Sequence, residues 1–307
     1  MMSLSVCIPT YRRGQVLLGT IEQLLDLHDQ ADEIIVIDQT EEYEQGTKRA
    51  LAQLARSGAI RWIHLDEPSI PRAMNRGLLE ARGALVLFLD DDIVLDGELV
   101  ARHRQTHERY SVAAVVGRII QPWEDRVLSL DTLSYPVGDK ADPDAFRFNS
   151  GKRCKVYRAM AGNLSVKRQV AIAVGGFDEN FVCVAYRFEA EFSDRLYAHG
   201  HSILFEPDAS IRHLKVTEGG TRSFGEHFRT VHPGHSVGRY YYLLVAKRVP
   251  KRWRRLFVAP LQAVVTSFHM LHPWWIPLTL VAEFWGFFWA LALRLQGPRY
   301  IDSEYRI

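Results

Sequence analysis

Cysteine is scarce in this chain, and the three present, Cys7, Cys154 and Cys183, are widely spaced with no Cys-x-x-Cys pair. That excludes a disulfide scaffold and a thiolate zinc site, and it suits a reducing compartment. Excess charge of either sign is also missing. Lys plus Arg number 38 against 36 for Asp plus Glu, a net +2, so no nucleic-acid partner is expected. Strand-like residues begin at Ser5, which leaves no room for the basic and apolar parts of a secretory signal, so the N-terminal part is expected to face the cytoplasm. There is no Gly-x-x-x-x-Gly-Lys-Ser/Thr run and no Gly-x-Gly-x-x-Gly after the first strand, which argues against a P-loop and a dinucleotide site. No internal repeat is visible. The 307 residues suit one large catalytic domain with an appended segment.

What is present is a series of short apolar runs alternating with helical spacing. Leu4 to Ile8, Glu33 to Asp38, Ile60 to Leu65, Ala84 to Leu89 and Ala113 to Ile120 read as strands. Leu17 to Leu27, Thr47 to Ser57 and Pro71 to Arg82 read as helices, the last with Pro in its first turn and Gly83 at its end. Alternation of this kind predicts an α/β fold with a mostly parallel sheet flanked by helices. Between Gln121 and Arg158 the pattern gives way to a polar stretch longer than an ordinary loop.

The fourth strand ends abruptly in Asp90-Asp91-Asp92. Open α/β sheets hold ligands at the carboxyl ends of their strands, and alternation along a strand puts Asp90 and Asp92 on one side and Asp91 on the other. An Asp-x-Asp pair there suits a hard divalent ion, Mn2+ or Mg2+, that takes its remaining oxygens from water and phosphate. Asp38 ends the second strand on the same edge, and Pro9-Thr10-Tyr11-Arg12-Arg13 closes the first. Together they predict a pocket with an aromatic face, hydroxyls and guanidinium groups for a nucleotide diphosphate.

Six blocks in order, Val6 to Tyr11, Ile35 to Asp38, Arg72 to Gly77, Phe88 to Asp92, Ala161-Gly162-Asn163-Leu164-Ser165 and Gly175-Gly176-Phe177-Asp178-Glu179, make the stretch from about Ser3 to His213 similar to the family 2 glycosyltransferases. The resemblance implies the GT-A nucleotide-sugar fold. It further implies that the first-strand end and Asp38 hold base and ribose, that Arg72 and Asn75 lie over the nucleotide, and that Asp90 and Asp92 hold ribose and metal-bound diphosphate. Asn163 falls in a matching block, and His213 falls where many members carry a His near the metal. Members usually carry Glu-Asp after the Gly-Gly-Phe-Asp block, the Asp acting as base. This chain has Phe188-Glu189, with Glu191 two residues on, so Glu189 is the expected base and Glu191 the reserve.

The expected reaction is a metal-dependent, inverting transfer of sugar from a nucleotide diphosphate sugar, UDP first, to a hydroxyl on a lipid-linked glycan or surface polysaccharide. Trp123 is a candidate sugar platform, and Arg222, in the Gly-rich Thr217 to Arg222 flap, is a candidate diphosphate ligand. Two other readings stay open: a haloacid-dehalogenase-like phosphatase, because Asp90 to Val94 also fits its nucleophile motif, and a non-catalytic membrane-bound adaptor that only binds nucleotide sugar.

The C-terminal part, expected to start near residue 236, differs in character. A basic cluster from Lys247 to Arg255 leads into two apolar runs, Leu256 to Leu271 and Leu278 to Leu293, joined by His272-Pro273-Trp274-Trp275-Ile276-Pro277. This predicts a helical hairpin attached to the cytoplasmic face of the inner membrane, either re-entrant or a spanning pair, with both ends inside and Tyr240-Tyr241-Tyr242 in either an aromatic belt or a packed core cluster.

Overall fold

The computed structural model describes residues 1–124, 146–225 and 228–302. The middle of the polar stretch read between Gln121 and Arg158 therefore lies outside the described residues.

The apolar runs form strands because both of their faces are covered. In β1 (Leu4–Thr10), β2 (Glu33–Asp38) and β4 (Leu85–Leu89), alternate side chains enter two different cores. Cys7, Ile35, Ile37, Val86 and Phe88 pack on one face of the sheet. Val6, Ile8, Ile34, Val36, Leu85 and Leu87 pack on the other. Two-sided burial is why these strands read as continuous apolar runs rather than alternating ones. Helices α1 (Gly14–Leu25), α2 (Gln45–Arg56) and α4 (Leu99–Arg109) contribute to the second core, and α3 (Ile70–Glu80), α5 (Arg168–Ala173) and α6 (Phe188–Ala198) to the first.

The sheet order is β3-β2-β1-β4-β8-β6-β9-β5, with β7 also paired to β9. Here β3 is Arg61–His64, β5 Ile93–Leu95, β6 Ala114–Ile120, β7 Cys154–Val156, β8 Asn163–Lys167 and β9 Ile203–His213. The first four strands in that order are parallel, so Thr10, Asp38 and Leu89 end on one edge. Beyond β4 the sheet is mixed: β8 runs antiparallel to β4 and β6, and β9 runs parallel to β6. Between β1 and β4 the direction of the connections reverses, the switch point where such sheets open a crevice. α3 lies close on β1 because Gly77 faces Cys7; a Cβ there would fall 2.1 Å from its Sγ.

The C-terminal part shares the first core. α7 (Val237–Val245) buries Tyr240, Tyr241 and Tyr242 in that core, Tyr241 edge-on to Phe181 at 5.0 Å between centroids, so of the two expected placements the packed core is the one found. Tyr241 donates to Asp178 at 2.7 Å and Tyr242 to Asp194 at 2.9 Å. One continuous core therefore crosses residue 235. The expected pair of similar helices is also changed. Pro260 sits inside α8 (Arg252–Val264), Val265 is its C-cap, and Thr266 caps the short α9 (Ser267–Leu271) that follows. Only α10 (Ile276–Gln296) runs on; with the preceding turn from Pro273, it is the one helix among the described residues long and apolar enough to cross a membrane. After α10, Arg299 and Ile301 return to the body of the fold: the Arg299 N–H donates to Asp178 at 3.0 Å and the Ile301 N–H to the Gly175 carbonyl at 3.0 Å.

Candidate active site

A cavity of about 1420 Å³ opens at the carboxyl ends of β1 and β4. Its walls include Pro9, Thr10, Tyr11 and Arg13 from the end of β1, the triplet Asp90 to Asp92, Glu189 at the start of α6, His213 at the end of β9, and Arg222.

The triplet divides as strand alternation requires. Asp91 accepts from the Thr10 hydroxyl at 2.7 Å and lies 3.2 Å from the Arg13 Nε. Burial pushes its carboxyl up to about 7, against the pull of Arg13 and Thr10. Asp92, 1% exposed, meets the His213 Nε2 at 2.9 Å and accepts from the Val216 N–H at 3.1 Å. Burial would raise the Asp92 carboxyl, but the hydrogen bond and charge of His213, with Arg13, hold it below the ordinary value. Asp90 lies 3.8 Å from the same imidazole nitrogen. Gly162 leaves it room, since a Cβ there would meet the Asp90 Oδ2 at 2.2 Å.

Ligand atoms of Asp90, Asp92 and His213 lie within 4.8 Å of one another. Two carboxylates and an imidazole form a donor set suited to Mn2+, with Mg2+ less favoured by the nitrogen. The spacing and chemistry of these side chains fit a divalent ion. The His213 Nδ1 faces the Gln121 Oε1 at 3.2 Å, which fixes the ring with its other nitrogen toward the carboxylates.

Cationic groups surround the cluster. Arg13 also donates to the Glu218 carbonyl at 2.8 Å. The Arg222 Nη1 is enclosed with no hydrogen-bond partner among the described residues. Lys215 joins the wall, its Nζ 3.7 Å above the Trp123 ring. The Gly-rich flap rests on the end of β1: the Gly220 N–H donates to the Tyr11 carbonyl at 2.8 Å, and a Cβ on Gly219 would lie 2.2 Å from the Arg12 carbonyl oxygen.

Glu189 stands in the first turn of α6 on the cavity wall. Burial pushes its carboxyl up to about 7, and the charge of Asp90 adds to the rise, although the backbone amides of Glu189 and Ala161 oppose it. Glu191 is placed otherwise. It is buried, paired with Arg195 at 2.7 Å and bonded by the Tyr300 hydroxyl at 3.1 Å, and it is absent from the cavity wall.

Five more residues expected at the site lie off that wall. Asp38 is fully buried and already accepts from the Thr40 N–H, the Tyr43 hydroxyl and the Trp62 Nε1, the last at 2.8 Å. Asn75 ties α3 to the Gly-Gly-Phe-Asp block, donating to the Phe177 carbonyl at 2.8 Å and accepting from the Phe177 N–H at 2.7 Å. Asn163 bridges His103 and the carbonyls of Arg118 and Ala209. Arg72 faces solvent and pairs with Glu67 at 2.8 Å, and Trp123 is 64% exposed. Conversely, Lys215 and Gln39 line the cavity without having drawn attention in the sequence. Lys215 stands two places after His213, a spacing that would have served as a signal.

A family model described as Glycosyl transferase family 2 matches residues 5–171, more than half of the chain. The chain belongs to glycosyl transferase family 2. As a family 2 transferase it shares its fold with solved glycosyltransferases at low identity. TarS of S. aureus, residues 1–349 in complex with UDP-GlcNAc, aligns at TM-score 0.59 and 13% identity over 98% of this chain and 99% of that one. GalNAc-T7 with UDP, GalNAc and Mn2+ aligns at 0.57 and 14%, over 69% of this chain and 44% of its own. The mannosyltransferase PcManGT of Pyrobaculum calidifontis, with GDP-Man and Mn2+, aligns at 0.55 and 17%, over 96% and 79%. No curated protein sequence gives a significant match. Family membership removes the ground for the phosphatase reading, because the triplet ends the fourth strand of a nucleotide-sugar fold.

Proposed function

We propose that this chain transfers a sugar from a nucleotide diphosphate sugar to a hydroxyl acceptor with inversion at the anomeric carbon. The observation that carries the reading is that the Asp90, Asp92 and His213 cluster and Glu189 share one cavity in a family 2 chain. Asp90, Asp92 and His213 would hold Mn2+ or Mg2+. Such an ion, when bound, neutralises the charge that gathers on the departing diphosphate. Arg222 and Lys215 supply further positive charge on the same wall. Thr10 and Arg13 fix Asp91, so that Asp91 holds the end of β1 against the triplet and leaves Asp90 and Asp92 to face the cavity.

Glu189 accepts the proton of the acceptor hydroxyl as that oxygen bonds to the anomeric carbon and the bond to the diphosphate oxygen breaks. A carboxyl near 7 is well matched to that task at neutral pH. Glu191, held by Arg195, positions the helix and has no part in proton transfer.

Uridine diphosphate is the proposed nucleotide, in keeping with TarS and GalNAc-T7, each of which binds a UDP group in its structure. The proposed acceptor is a lipid-linked glycan or surface polysaccharide at the cytoplasmic face of the inner membrane. The test is donor turnover across UDP-, GDP- and dTDP-sugars with and without Mn2+. Turnover abolished by Asp92→Ala and by Glu189→Gln supports the transferase. Donor binding with no turnover under any condition would make the chain an adaptor and overturn the proposal.

A further inference from the structure

The face of α10 that turns away from the protein is as apolar as the face that packs. Thr279, Ala282, Glu283, Gly286 and Ala290 are buried, and Glu283 accepts from the Tyr240 hydroxyl at 2.6 Å. On the opposite side Val281, Phe284, Trp285 and Phe288 are each more than half exposed, spaced i, i+3, i+4, i+7. α8, which packs on α10, repeats the pattern with Trp253, Phe257, Leu261 and Val265 at i, i+4, i+8, i+12. A helix face of this kind in water normally carries charge, and so much exposed aromatic surface marks an interaction site. At the start of α8 lie Lys247, Arg248, Lys251, Arg252 and Arg254. Apolar faces bordered by a basic cluster match a lipid surface with anionic headgroups.

α10 is also pinned to the body along its length. The Ser236 hydroxyl donates to the Ala282 carbonyl at 3.1 Å, Arg239 pairs with Glu283, Arg294 donates to the Leu244 carbonyl, and Asn180 donates to the Gly297 carbonyl at 2.6 Å. A helix of this length would fill the roughly 30 Å hydrocarbon layer if it crossed it. Crossing would drag α7, with Arg239 and its links to the catalytic core, into lipid or tear those bonds out, and buried charge in lipid is costly.

We propose that α8, α9 and α10 lie flat in an anionic leaflet, neither crossing nor re-entering it, and hold the aromatic end of the cavity at its surface. Phe268 of α9 lines that end and stacks on Phe228 at 5.4 Å between centroids, while its neighbours Met270 and Leu271 are exposed. The proposal deepens the transferase reading by requiring the acceptor to be presented by a lipid, and its docking half stands apart from catalysis.

The test uses the full chain with vesicles of phosphatidylcholine alone and of phosphatidylcholine mixed with phosphatidylglycerol, followed by sedimentation. Binding should favour the anionic vesicles, weaken with salt, and fall about tenfold or more in the triple variant Phe257→Glu, Phe284→Glu, Phe288→Glu, whose folding is checked by an unchanged thermal shift with nucleotide. Alkaline carbonate should strip the wild type from native membranes. Retention after carbonate would show a spanning helix and overturn the proposal, as would equal binding to neutral vesicles, or a dimer in solution that binds no vesicle. Vesicle binding without donor turnover would keep the docking and sink only the transferase reading.

Discussion

Replacing Glu189 by Gln keeps the size of the side chain and removes its ability to take a proton. The carboxyl stands at about 7 instead of 4.5, chiefly because burial disfavours its charge. Two consequences follow with opposite signs. For activity, the deprotonated fraction rises about tenfold between about pH 6 and pH 8, so the acceptor kcat/KM of the wild type should climb by that factor. Glu189→Gln should lose the pH limb and fall by about 10² to 10⁴. For stability, a carboxyl whose folded value is raised binds its proton more tightly when folded, so stability is lost as pH rises from 4.5 through about 7. The upper bound on that loss is about 3 kcal/mol. Glutamine escapes it, so the variant should melt higher than wild type above neutral pH and equally near pH 4. The assays are sugar transfer from labelled donor across pH and thermal melting at the two extremes. A variant that keeps the pH limb, or that melts lower at high pH, would refute the assignment of Glu189 as a half-buried base.

Glu191→Ala should behave in the opposite way: it strands Arg195 in the core and should cost about 3 to 5 kcal/mol in denaturant unfolding, with the remaining folded enzyme keeping its pH profile. Gly77→Ala drives a methyl into Cys7 and should destabilise by about 1 to 3 kcal/mol, read as a lower melting temperature with donor affinity unchanged. Lys215→Ala removes a cation beside the acidic cluster and should raise the KM for the donor several-fold while Mn2+ still raises the melting temperature; an unchanged KM would place the diphosphate elsewhere in the cavity.

The parallel half of the sheet was legible in the sequence because β1, β2 and β4 are buried on both faces, which leaves uninterrupted apolar runs, and because Pro71 and Gly83 punctuate the helix that leads into β4. The triplet was legible for a related reason, since charge that follows such a run without a break has to lie at the strand's end. Asp38 shows where legibility stopped. Its position at a strand end is visible, but its saturation by Tyr43 and by Trp62 on the next strand depends on side-chain reach across the sheet. Asn75 and Asn163 look like ligands in a motif, yet each serves backbone groups about a hundred and about forty-six residues away. The break after Val264 was hidden because Thr266 is a weak cap signal inside an apolar run.

The return of Ile301 to Gly175 also bears on how the chain is made. The segment before α6 is closed by residues about 126 places later in the chain, through the Ile301 N–H and the pairing of Arg299 with Asp178 and Glu179. During synthesis the sheet can assemble early, but the turn that leads into α6 stays unlatched until the strap has emerged, long after the acidic triplet is in place. Catalytic competence is therefore expected to arrive late, as a step in maturation set by the emergence of residues 299–301 rather than by the folding of the nucleotide half.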